Sequence, residues 1–326
     1  MRRVLGVVLT GLGAFLLVLA LLFRFYLPGQ VIKFPLNEYT VSDLTGTNFT
    51  YFSAQSLSEV HGATVRAAST VQGDVAAGSS STAVWVDNTG VFDISSGPSP
   101  GTPIGYASER IPFNRRTGLV VNCCGAAING KPQKMSGQEF VWPIGTQKKT
   151  YQIFDTTLLK PEPVKYTGTS TVNGINVDVF VEHVVNQKFG TEPVPGSLVG
   201  MKSQANVTLP EDLTATNTYY VDPESGSPLK EVENQTEFLA NPSTGATLLT
   251  LLHGTLTSTP KTIASAVSTA KHYDDEIIWV QNIGPLIAGV LGLLLLVVGI
   301  LLVLGQYEDY YEYEDEDEDE EVGAGA

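Results

Sequence analysis

Two apolar runs bracket the chain, and a polar stretch of short alternating segments fills the space between them. Residues 4–23, "VLGVVLTGLGAFLLVLALLF", and 283–304, "IGPLIAGVLGLLLLVVGILLVL", are 20 and 22 residues long and carry no charge. At about 1.5 Å per helical residue, either reaches across the roughly 30 Å hydrocarbon core of a bilayer. The pattern predicts two transmembrane helices, over 4–26 and 283–304. The first run exceeds the roughly 7–15 apolar residues of a signal peptide, and no A-x-A site precedes "RFYLPGQ", so it reads as an uncleaved anchor.

From 27 to 282 the period changes. "INVDVFVEHVV" sets Ile175, Val177, Val179 and Val181 on one face of a strand, with Asn176, Asp178 and Glu182 mainly on the other, interrupted only by Phe180. Similar runs at 82–87, 118–122, 139–144, 151–155, 217–222 and 246–252 predict further strands. Turn residues separate them: "VDNTG" at 86–90, "NRRTG" at 114–118, Asn-Gly at 129 and 173, and "DPESG" at 222–226. The expected fold is mainly β (α+β), an antiparallel curved sheet or barrel. After Thr259 and Pro260, Ile263, Ala266, Val267, Ala270, Tyr273 and Ile277 recur at helical spacing. They predict an amphipathic helix over about 260–281 that packs on the sheet and runs into the second span.

Charge refines the layout. Of the formal −15, eleven acidic and no basic residues fall from Tyr307 onward, whereas 27–282 holds 23 acidic and 16 basic residues, a net −7. That middle has no basic stripe, which excludes a nucleic-acid binder. Arg2 and Arg3 place residues 1–3 and 305–326 in the cytoplasm by the positive-inside bias, leaving 27–282 extracytoplasmic. Phe23, Phe25, Tyr26 and Trp279 fall at the outer interface, and Tyr307, Tyr310 and Tyr311 at the inner one. The acidic tail repels itself and is expected to be disordered.

Pro143, Gly145, Thr146, Lys149, Tyr151 and Asp155, followed by Tyr166, Gly168, Asp222, Pro223 and Gly226, resemble the motif positions of the porin PorA-like family. This is a domain-of-unknown-function group of two-span envelope proteins, best known from actinobacteria, and its specific motifs cover about 112–304 here. The resemblance implies an envelope role, a β-rich domain around an apolar cavity, and handling of a lipid or glycolipid. Lys148, Lys149, Tyr151, Ile153, Tyr166 and Val177 are then candidate ligand residues, the lysines for an anionic head group and the others for a cavity wall. The plainer alternatives are a polar turn at "GTQKKTY" and a filled core beneath it.

No chemistry of catalysis is legible. His61, His183, His253 and His272 lie far apart, outside any H-E-x-x-H, G-x-S-x-G or phosphate-loop pattern, so neither catalytic residues nor a metal or cofactor site is expected. Cys123 and Cys124 supply too few ligands for a metal. Their neighbouring Cα atoms, about 3.8 Å apart, fall below the usual disulfide range, so a bond between them is a strained vicinal staple, weighed here against two free thiols. Asn48, Asn206 and Asn234 begin glycosylation sequons. Small residues at Thr10 and Ala14, and at Ala288 and Gly292, allow the two spans to pair. Three functions follow as expectations: a membrane-tied lipid- or glycolipid-binding module, a scaffold with protein partners, or an oligomeric pore. The pore is the weakest, because two helices enclose no aqueous path.

Overall fold

The computed structural model describes residues 2–97 and 101–322, with the backbone alone for 305–322. The chain forms two compact units, divided at Ile32/Lys33 and at Tyr273/Asp274.

The smaller unit is helical. It contains α1 (Arg2–Phe25), the short α2 (Leu27–Val31), a π-helical turn at Trp279–Ile283, and α4 (Gly284–Val322). The apolar stretches of α1 and α4 are each long enough to cross a bilayer. They pack antiparallel: Gly6 lies against Gly299 and Val303, Gly13 against Gly292 and Leu296, and Ala20 against Gly289. A Cβ at Gly13 would stand 2.5 Å from the Leu296 nitrogen, and one at Gly299 2.5 Å from the Thr10 nitrogen, so the backbones meet where side chains are absent. Thr10 takes part as the pattern suggested, and its hydroxyl donates back to the Gly6 carbonyl at 2.9 Å. The α4 backbone continues as helix into the acidic run as far as Val322, and residues 323–326 lie outside the described residues.

The larger unit is a curled antiparallel sheet. Its strands are β1 (Tyr39–Ser53), β2 (Ser58–Gly73), β3 (Thr82–Asp93), β4 (Thr102–Asn114), β5 (Ala127–Ile128), β6 (Lys131–Pro132), β7 (Tyr151–Asp155), β8 (Lys160–Val172), β9 (Ile175–Pro195), β10 (Asn206–Val221), β11 (Pro228–Ala240) and β12 (Thr247–Ser258). The order β6-β5-β4-β3-β2-β1-β12-β11-β10-β9-β8-β7 is two six-stranded meanders joined where β1 pairs with β12. At the opposite seam single-residue bridges link Phe113 to Val120, Leu119 to Gln138, and Gln138 to Ile153, carrying the pairing from β4 round to β7. The sheet stays open, with β6 and β7 as its two ends. α3 (Pro260–Ile278) begins in this unit; Thr259 caps it by accepting from the Thr262 amide at 3.2 Å. Val267 and Ala270 of α3 pack on Val172, Val177 and Leu229, as the apolar periodicity predicts.

The turns at Asn129-Gly130 and Asn173-Gly174 form as expected, with positive φ at all four residues, the conformation Asn-Gly hairpins favour. Three expectations are corrected. "VDNTG" is no turn: 86–90 lies inside β3, whose pairing with β2 and β4 runs through it. The runs 118–122 and 139–144 are not full strands: the first makes only single-residue bridges, at Leu119 and Val120, and the backbone groups of the second bond to turns instead of a ladder. The Trp142 amide donates to the Gly226 carbonyl at 2.8 Å and that of Ile144 to Arg116 at 3.0 Å. Finally, the buried face of β9 is Asp178, Phe180, Glu182 and Val184, while Val179 and Val181 are only half-buried.

Candidate functional site

Strand alternation sends every second side chain into the curl of the sheet. From β3 these are Trp85, Asp87 and Thr89; from β11, Leu229, Glu231, Glu233 and Gln235. They border a cavity of about 470 Å³, which β4 reaches with Glu109, β7 with Ile153 and Asp155, and β9 with Glu182. Glu139, from the segment that bridges the seam, and Tyr273 of α3 complete the wall. More of the wall is apolar than polar, in keeping with the cavity that the resemblance implies, but carboxylates also enter it, from five strands and a connecting segment. Among the described residues the only basic one on the wall is Lys230, and its Nζ sits 4.7 Å from the centre of the Tyr220 ring.

Of these carboxyl groups Glu182 is buried, and Asp87, Glu109, Glu139, Asp155, Glu231 and Glu233 are half-buried where they line the cavity. Burial, then Glu233 and Asp87, pushes Glu231 up to about 8. Burial, then Glu109, pushes Glu233 up to about 7. Burial also lifts Glu182 to about 7, although the Asn217 amide donates to its Oε2 at 2.8 Å. Glu139 is held well above the ordinary range by burial and by Glu109, Asp87 and Glu231. Glu109 is raised as well, by burial first and then by Asp87 and Asp155. Asp155 is raised by burial even though the Thr157 and Leu158 amides both donate to it at 2.8 Å. Glu139 Oε2, Glu182 Oε1 and Asn217 Oδ1 are buried acceptors that no protein group pairs with. Glu182 as a whole is 2 % exposed.

The residues expected to hold a ligand are distributed differently. Ile153 borders the cavity; Lys148, Lys149, Tyr151, Tyr166 and Val177 do not. Lys148 reaches Asp178 at 3.8 Å and lies 5.8 Å above the Tyr166 ring, and Lys149 lies 5.2 Å above Tyr151. Tyr151 and Tyr166 pack with Trp142 and Phe180 in a buried cluster, and Val177 lies beneath α3.

The motif positions build that cluster's frame. Pro143, Gly145 and Thr146 dock on the turn made by Asp222, Pro223 and Gly226: the Gly145 amide donates to Glu224 at 3.0 Å and that of Thr146 to Pro223 at 2.7 Å. The Thr146 hydroxyl donates to the Pro143 carbonyl at 2.8 Å, and Asp222, 1 % exposed, accepts from the Ser225 amide at 2.8 Å. Gly226, at φ +76°, leaves no space for a Cβ, which would lie 2.4 Å from the Trp142 carbonyl oxygen. Gly168 marks the register shift between β8 and β9. Cys123 and Cys124 form a vicinal disulfide with Cα atoms 3.8 Å apart, and the Cys124 carbonyl accepts from Arg110 Nε at 3.1 Å. Asn48, Asn206 and Asn234 are all exposed. Among the described residues no three His, Cys, Asp or Glu side chains are grouped to hold a metal ion.

The lumen carboxylates escaped the reading of the sequence because alternation defines two faces without saying which is buried. In "LKEVENQ" both faces of β11 are polar, so only the shortage of basic partners in the middle of the chain signals that acids are turned inward. None of the curated proteins matches the chain. The family model described as Porin PorA matches residues 5–301, which takes in α1, the whole curled sheet and most of the apolar part of α4, and the chain belongs to that family.

Proposed function

We propose that the protein is a membrane-anchored envelope protein, tied to the cytoplasmic membrane by α1 and α4, whose extracytoplasmic β domain holds a small ligand inside the curled sheet without acting on it chemically. The observation that carries this reading is the cavity and the carboxylates that line it from five strands and the bridging segment. Acidic acceptors crowded along one wall are stabilised by an occupant that donates to them. A volume of about 470 Å³ lies in the range of small-molecule sites, roughly 300–1,000 Å³. An acyl chain satisfies none of these acceptors, so if the ligand is a lipid or glycolipid, it is the head group that enters.

The family's description as a porin supplies a second reading, an oligomeric pore, which the acidic lumen would make selective for cations. The outward faces of the strands speak against insertion of the sheet itself in a bilayer: Lys165, His183, Asn234 and His253 are exposed there. Native mass spectrometry of the full chain, extracted from its own membrane in mild detergent, tests the ligand-holding reading. A retained small molecule at fixed stoichiometry supports it, whereas a uniformly empty chain that conducts ions in planar bilayers transfers the case to the pore.

A further inference from the structure

Resting on that ligand-holding reading, we propose that the occupant is a linear organic polycation, with two or more ammonium groups along a flexible methylene chain, bound lengthwise between the lumen carboxylates. Asp87, Glu109, Glu139, Glu231 and Glu233 repel one another across the cavity from β3, β4, β11 and the bridging segment. Such a set is stabilised by positive charge that enters with its own hydrogen-bond donors.

A bare metal ion fits poorly, because among the described residues no three carboxylates converge on one point. The charges are spread along the wall of a cavity far larger than an ion. Ammonium groups, with three donors each, match carboxylates scattered along the wall at Asp87, Glu109, Glu231 and Glu233, beside the buried Glu182, one of whose oxygens has no protein partner. Between the acids stand apolar surfaces, Trp85, Leu213 and Tyr219, that suit methylene segments, and the two rings also attract ammonium groups over their faces. The nearest protein cation, Lys230, is directed to Tyr220 and leaves this charge unmatched.

Isothermal titration of the full chain in detergent micelles with spermidine, at about pH 9 where Glu231 and Glu233 are largely ionised, tests the assignment. Saturable one-to-one binding is expected, at least tenfold tighter than that of Mg²⁺. The Glu231→Gln/Glu233→Gln double variant should weaken spermidine binding at least tenfold while keeping its near-ultraviolet circular dichroism. Glu224→Gln, at the exposed position of the otherwise largely buried 222–226 turn, should leave it unchanged. Equal affinity for Mg²⁺ and spermidine would overturn the organic-cation assignment, as would full affinity in the double variant. Failure of spermidine to bind a chain that retains a neutral or anionic molecule would overturn the ligand class and leave the ligand-holding reading intact. Failure of spermidine with a chain that retains nothing would remove both.

Discussion

Replacing Glu231 by Gln should stabilise the protein at neutral pH. Glu231 titrates near 8 in the folded chain instead of at its ordinary 4.5, through burial first and then through Glu233 and Asp87. Because the folded state binds the proton more tightly than the unfolded one, stability is full below about pH 4.5, declines as pH rises towards 8, and levels off above it. At pH 7 the accumulated penalty is about 1.4 kcal/mol for each of roughly 2.5 pH units, about 3.5 kcal/mol as an upper bound, which the share of the repulsion borne by Glu233 brings to about 3 kcal/mol. Gln reproduces the protonated form without titrating and removes this penalty. For a domain of this size, about 3 kcal/mol corresponds to a rise in Tm of roughly 6–12 °C. The assay is thermal unfolding of the full chain in detergent, followed by circular dichroism at pH values of about 5, 7 and 8.5. The gain should be near zero at the lowest pH and largest at the highest. A variant less stable than the parent at neutral pH, or one whose effect is the same at all three, would refute the reasoning, because it would mean that Glu231 faces water or is ion-paired.

Other substitutions probe the frame. Trp142→Ala empties a site 1 % exposed against Phe180 and Tyr219 and should cost about 3–5 kcal/mol in urea unfolding. Gly226→Ala should destabilise by at least about 1 kcal/mol, read by the same unfolding, because its φ of +76° and the Trp142 carbonyl both exclude a Cβ. An ideal Cβ at Gly289 lies 3.8 Å from that of Ala20, so the pair Ala20→Cys/Gly289→Cys should oxidise readily to a disulfide; adding Gly299→Leu should reduce the yield sharply by forcing α4 from Thr10. Thr259→Ala removes the cap of α3 and should lower stability by about 1 kcal/mol.

The elements that sequence reasoning recovers are those with one clean period. The two apolar runs, the Pro260 helix and the strand at 151–155 all have a continuous stripe or a sharp boundary, and the structure begins each within a few residues of its predicted start; only α4 overruns, its backbone staying helical to Val322 through a tail expected to be disordered. Strands with two half-polar faces were harder. β1, β2 and β8 are rich in Thr, Ser, Gly and Pro, and their ladders form because neighbouring strands supply partners that no local window contains. The misread 86–90 shows the same effect: Asp87, Asn88 and Gly90 look like a reversal, yet pairing on both sides holds them extended. The site was the least legible part. Assigning acids to the solvent face is sound for a flat half-buried sheet and fails when the sheet curls, since its concave face then surrounds a lumen. The family motif, by contrast, was visible as residues, and its architectural meaning emerged only when the 143–146 and 222–226 segments, remote in sequence, met in space.

The most direct test of the inward-facing acids is an infrared titration of the full chain that follows the protonated-carboxyl band from about pH 5 to 9, in the parent and in Glu231→Gln/Glu233→Gln. Protonated carboxyl signal persisting at about pH 7 in the parent, fading towards the alkaline end and diminished in the double variant, is the predicted result. Loss of the whole band below about pH 5.5, with no difference between parent and variant, would place these carboxylates in water and contradict the acidic lumen.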